Sequence, residues 1–195
     1  MPVLLESNML SSGTMQTWIL LLQGINVSGQ KRMAMAALQS ILADLGFINP
    51  RTYIQSGNAV FSSTVSNRSD LSRRIAAGIV SRFGYETPVF LRTAEDFARV
   101  IQENPFLTGR QLDPGYLHVT FLSKPLTQKD LTSFAPPASL TDEFQPGIEE
   151  IFLFCPDGYG RTKLNNPFFE RKLKLRVTTR NWNTILTLDR MAQEI

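Results

Sequence analysis

Several kinds of chemistry are short of materials in this chain of 195 residues. Cys155 is the only cysteine, so an internal disulfide is impossible and a reducing compartment is the natural home. His118 is the only histidine, so a zinc site made of His and Cys alone cannot be assembled within one chain. Long apolar runs are missing too. Runs such as residues 18–22 are far shorter than the ~20 residues a bilayer requires, so no membrane span is expected. Residues 1–14 have neither a basic start nor a long apolar core. They read as a loose N-terminal extension rather than a secretory signal, with Met15 as an alternative start and the cytoplasm as the expected location.

A strong charge of one sign is also absent. The net charge of +3 is too mild to identify a nucleic-acid partner. Its distribution is uneven, however. Residues 161–180 hold seven basic side chains against Glu170 alone, whereas residues 141–160 hold five acids and no Lys or Arg. A local positive field follows if the basic residues share a face; otherwise the run is a solvated helix flank. The hydrophobic share of 43% and charged share of 19% suit a soluble globular protein of one domain or two small ones.

What is present is a regular alternation of elements. Residues 17–27 read as a strand buried on both faces, broken by Ser28-Gly29. A helix is expected from Lys31, with Met35, Leu38, Ile41, Leu42 and Leu45 on one stripe and Gly46 as its stop. Residues 51–62 are extended around Ser56-Gly57-Asn58, as a hairpin turn or as a bulge in one long strand. A second helix from Ser69 turns Leu71, Ile75, Ile79 and Phe83 inward, followed by a strand over 87–92. Thr93 caps a third helix bearing Phe97, Val100 and Ile101, closed by Asn104-Pro105.

The remainder repeats this order. A strand at 117–122 precedes a short helix capped by Thr127 and carrying Leu131 and Phe134. An extended stretch over 142–155 turns at Pro146-Gly147. Asn166-Pro167 opens a helix, a strand is expected over 174–178, and the last helix starts near Asn181. Corresponding elements lie ~90–100 residues apart, a period that signals duplication. The reading is an α+β fold of two tandem ferredoxin-like (βαββαβ) halves, with antiparallel sheets and helices packed on them. The halves are residues 15–108 and 109–195, divided within the Gly-, Asp- and Pro-bearing stretch 108–115.

Several motifs are distinctive together: Leu21-Leu22-Gln23-Gly24-Ile25-Asn26-Val27, Arg51-Thr52-Tyr53-Ile54-Gln55-Ser56-Gly57-Asn58-Ala59-Val60-Phe61, Asn104-Pro105-Phe106, Arg161-Thr162-Lys163-Leu164 and Thr178-Thr179-Arg180-Asn181-Trp182-Asn183-Thr184. From Met15 onward the chain resembles the uncharacterised bacterial family known as domain of unknown function 1697. That resemblance implies ferredoxin-like halves and no established activity. It also implies two departures, since the family usually has Arg where this chain has Gln23 and Ser where it has Thr162. If that arginine meets a charged ligand, this member binds it weakly or differently.

The chemistry-bearing stretches point to anions. Gly24-Ile25-Asn26-Val27-Ser28-Gly29-Gln30-Lys31 nearly spells a phosphate loop, but Gln30 and Lys31 stand where Lys and a hydroxyl are needed. It is a tight turn or a weaker amide-based anion site. Ser56, Gly57 and Asn58 either present polar groups at one bend or serve backbone geometry. Arg161 and Lys163 follow a loop able to close on a ligand, and Thr179, Arg180, Asn181 and Asn183 stand at a helix start where amides favour negative charge. The candidate ligand-binding set is therefore Gly24, Asn26, Ser56, Gly57, Asn58, Arg161, Lys163, Thr179, Arg180, Asn181 and Asn183. His118 and Cys155 read as structural. No metal and no cofactor is expected. The leading function is binding of an anionic small molecule, nucleotide or RNA. An enzyme acting on a small phosphorylated or carboxylated substrate, and an interaction module without ligand, are the alternatives. Homo-oligomers stay open.

Overall fold

The computed structural model describes residues 14–27, 29–133 and 141–195. The extension over 1–13, Ser28 and Phe134 lie outside the described residues.

The chain forms a mixed α/β protein with two four-stranded antiparallel sheets. In the first, β1 (Gln16–Leu22) lies between β3 (Asn58–Ser63) and β4 (Val89–Thr93), and β2 (Ile48–Tyr53) forms the edge beyond β3. Helix α1 (Met35–Asp44) joins β1 to β2, and α2 (Arg68–Phe83) joins β3 to β4. After α3 (Ala94–Gln102) and a short 3₁₀ turn at Pro114–Tyr116, the pattern returns. Strand β5 (Leu117–Leu122) lies between β7 (Glu150–Phe154) and β8 (Val177–Asn181), with β6 (Glu143–Pro146) at the edge. Helices α4 (Gln128–Ser133) and α5 (Asn166–Leu173) occupy the connections, and α6 (Trp182–Gln193) closes the chain.

Local chemistry sets most boundaries. β1 ends at Leu22, earlier than its apolar run suggests, because Gly24 and Asn26 adopt left-handed φ of 68° and 54°. Ile25 still buries its side chain from that loop. Helix α1 starts at Met35 rather than Lys31, which itself sits at φ 45°. Ser56-Gly57-Asn58 resolves into a hairpin whose turn spans 54–57 and whose strands pair Tyr53 with Asn58. Thr93 and Asp96 form a reciprocal capping box at α3. The cap of α5 is Asn165, one residue before the expected Asn166, with Pro167 inside the first turn. Leu131, on the expected short helix α4, is exposed.

Among the described residues the buried apolar side chains form three clusters. Alternation along β1 sends Leu20 and Leu22 towards α1 and α2, where they meet Leu38, Leu42, Leu71 and Ile75. It sends Ile19 and Leu21 to the opposite face, into a cluster shared by both sheets. There Val119, Phe121 and Phe152 of the second sheet meet Phe97 of α3 and Trp182, Ile185 and Leu188 of α6. Phe97 stacks on Phe121 with ring centroids 5.3 Å apart, tying α3 to strand β5 of the second sheet. The third cluster packs Ile151, Leu153 and Leu122 on Phe168 and Phe169 of α5. The contact between the two sheets is therefore a true core, and a cleft opens along its edge.

Candidate functional site

The cleft has a volume of about 550 Å³. Its walls come from the loop after β1, the β2–β3 turn, His118 of β5, Tyr159, Asn166, the end of β8 and Thr184 of α6. The loop after β1 is fixed by Asn26. Its Nδ2 donates to the Met33 and Gln55 carbonyls at 2.8 Å each, and its Oδ1 accepts from the Met33 amide at 2.8 Å. The carboxamide thereby clips that loop to the β2–β3 turn. Gly57 is needed where the two meet. Its φ is 72°, and a Cβ there would sit 2.7 Å from both Leu22 Cβ and Ile25 Cδ1.

Arg180 forms the floor. It is 9% exposed, and all five of its guanidinium hydrogens are donated. Nε reaches Asn58 Oδ1 at 2.5 Å, and Nη1 reaches Thr178 Oγ1 and the Thr179 carbonyl. Nη2 crosses to the Leu22 carbonyl at 2.7 Å and the Ser56 carbonyl at 3.1 Å. Asn58 is fully buried and donates from Nδ2 to the Tyr53 carbonyl. Among the described residues no carboxylate pairs with Arg180. Burial pushes its pKa down to about 10, with Tyr159 acting in the opposite direction, so the group stays charged at neutral pH.

Arg92, at the matching position of the first half, is treated differently. Its Nη2 donates to the Leu122 carbonyl at 2.7 Å and the Glu149 carbonyl at 3.1 Å, mirroring Arg180. Yet its Nε lies 3.4 Å from Glu149 Oε2, and Arg68 bridges Glu149 and Asp96 beside it. Glu150, the counterpart of Asn58, is fully buried and bidentate with Arg99. One buried arginine is surrounded by carboxylates; the other is not.

The remaining wall is polar and aromatic. Thr179 Oγ1 donates to Asn166 Oδ1 at 2.6 Å and so receives the hydrogen of Thr120 Oγ1, 2.8 Å away. His118 stacks on Tyr159 with centroids 4.7 Å apart, and its Nδ1 lies 3.3 Å from the Tyr116 carbonyl. Burial lowers the His118 pKa and raises that of Tyr159. Two helix starts open here: Asn166 begins α5, and Thr184 lies in the first turn of α6, its amide capped by Asn181 Oδ1 at 2.8 Å.

The structure brings Gly24, Asn26, Ser56, Thr179, Arg180 and Asn181 to the cleft and sets Gly57 and Asn58 directly behind it. It does not bring Arg161, Lys163 or Asn183 to the lining. Thr162 turns inward to Asp142 Oδ2 at 2.6 Å, so its neighbours Arg161 and Lys163 project outward and are exposed. Asn183 is exposed on α6, with its carbonyl accepting from Thr187. His118, Tyr159 and Asn166 line the cleft without having stood in the expected set. His118 is brought there by its pairing with Asn181 across the sheet. Gln23 donates from Nε2 to Glu170 at 3.0 Å, and its buried Oε1 has no hydrogen-bond partner.

Fold and cleft together define a two-sheet α/β protein with a cleft between its sheets, floored by Arg180. The chain belongs to the family described as "Protein of unknown function (DUF1697)", whose model matches residues 15–152. A solved structure of a conserved bacterial protein, SP0830 from Streptococcus pneumoniae, is similar with a TM-score of 0.71 and 25% sequence identity. The match covers 91% of this chain and 99% of that one. No curated protein matches significantly. Among the described residues no helix is long and apolar enough to cross a membrane.

Proposed function

We propose that the chain is a binding protein for an anionic ligand, built from two ferredoxin-like halves (15–108 and 109–195) with the cleft at their seam as the binding site. The repeated order β2-β3-β1-β4 and β6-β7-β5-β8 supports the tandem reading. One observation carries the function: Arg180 is a buried charge without a carboxylate, whereas its counterpart Arg92 has Glu149. An isolated buried cation is unfavourable, and an anion in the cleft offsets it. Because its hydrogens are all committed, Arg180 acts as a charge beneath the ligand. Direct bonds come from the Ser56 hydroxyl and the Asn166 and Asn181 carboxamides, with the positive dipole ends of α5 and α6 adding to the field. The cleft volume suits a small molecule. A neighbouring groove carrying Lys31, Arg73 and Arg176, which shares Gln23 and Gly24 with the cleft, favours RNA as the second reading.

The test is a thermal-shift and calorimetric screen of inorganic phosphate, small carboxylates, nucleotides and short RNAs. Anions should raise the melting temperature of the wild type, and Ser56→Asp, which places a competing carboxylate on the exposed turn, should abolish the rise. No response to any anion at millimolar concentration, or an undiminished response in Ser56→Asp, defeats the proposal. A steep fall of RNA affinity with salt would favour the second reading.

A further inference from the structure

The mouth of the cleft differs from its floor. Thr178, Thr179, Arg180 and Asn166 make the inner surface polar, but the rim carries two aliphatic side chains held out in solvent, Val27 at 59% exposure and Ile54 at 47%. Single exposed aliphatics are ordinary on protein surfaces. Ile54 is not ordinary, because its backbone sits at φ 48°. A β-branched residue crowds its own backbone in the left-handed region, and glycine would adopt it without that cost. Strain of this kind concentrates where a site is held in a set geometry. Here it falls in the same turn that supplies the Ser56 carbonyl to Arg180 and the Gln55 carbonyl to Asn26. The turn therefore presents an isoleucine at the rim and braces the cationic floor at once.

We infer that the ligand is amphipathic: an anionic group seated over Arg180 and an apolar or aryl body covering Val27 and Ile54 at the mouth. This rests on the anion-binding reading and narrows it to a carboxylate or phosphate joined to a hydrophobic moiety. A bare inorganic ion would leave both rim side chains wet. Covering them removes apolar surface from water, which corresponds to about a tenfold gain in affinity or more.

Titration calorimetry with two matched probe pairs tests this, inorganic phosphate against phenyl phosphate and acetate against benzoate. In the wild type the aryl member of at least one pair should bind about tenfold more tightly than its simple partner. Ile54→Gly and Val27→Ser should bring that ratio, taken within each variant, close to one. Ile54→Gly should also raise the melting temperature, since it relieves the backbone, so a loss of binding cannot be laid to unfolding. Equal affinity within both pairs, or a ratio that survives both substitutions, overturns the inference while leaving the anion site intact. Failure of all four probes to bind overturns both.

Discussion

Arg92 and Arg180 each donate from Nη2, at 2.7 Å, to the carbonyl that ends a central strand of the other sheet: Leu122 of β5 for Arg92 and Leu22 of β1 for Arg180. Each stands opposite the matching residue of its own first strand, Ile19 or Val119. The two contacts form a reciprocal clasp across the seam. The halves differ in what surrounds the clasp. Glu149 and Glu150 occupy the first half's arginine site, while Gly57 and Asn58 stand at the matching positions around Arg180.

Removing Arg180 should therefore be costly for the fold. Arg180→Ala strips the hydrogen bonds from the Leu22 and Ser56 carbonyls and from Asn58, all at a buried seam. Chemical denaturation should show a loss of about 2–5 kcal/mol. A loss under about 1 kcal/mol would mean that the clasp is ornamental to stability.

Gly57 and Gly84 share nearly the same φ, 72° and 73°, but not the same surroundings. An added Cβ at Gly84 meets nothing within 4 Å, so Gly84→Ala should cost only the backbone penalty, about 1 kcal/mol. Gly57→Ala adds a clash with Leu22 and Ile25 in the wall of the cleft and should cost about 2 kcal/mol or more. Equal melting temperatures for the two variants would refute the close approach.

His118 links stability to pH. Burial lowers its pKa in the folded protein below its ordinary 6.5, and the unfolded chain binds the proton more readily. Its contribution is therefore complete above pH ~6.5 and is lost as pH falls through that value towards the folded pKa. Melting temperatures followed from pH ~7.5 to ~5.5 should fall more steeply for the wild type than for His118→Gln. Parallel curves would show that the ring titrates as freely folded as unfolded.

The architecture was legible because its signals are local. Apolar spacing on α1 and α2, the Thr93 cap and the Asn-Pro start of α5 each act within a turn or two. The extent of β1 was overread because continuous hydrophobicity says nothing of a left-handed Gly24 or Asn26. The site was half legible. Ser56, Thr179 and Arg180 announced themselves through polar motifs, but their meeting depends on the clasp between halves, which no local pattern encodes. The basic density around Arg161 and Lys163 misled for the same reason. Charge along a chain does not state direction, and Thr162, turned inward to Asp142, points its neighbours away. Tyr159 and His118 carried no motif, and their placement follows from packing at long range.

The shared cluster on the inner face of β1 has a consequence for synthesis. A ribosome releases the first half before Phe121 and Trp182 exist to cover Ile19, Leu21 and Val60. Until the later strands emerge that face stays greasy and Arg92 lacks the Leu122 and Glu149 carbonyls, so the emerging polypeptide is a natural client for chaperones, and cutting it at the midpoint should yield fragments that aggregate separately yet complement one another when co-expressed.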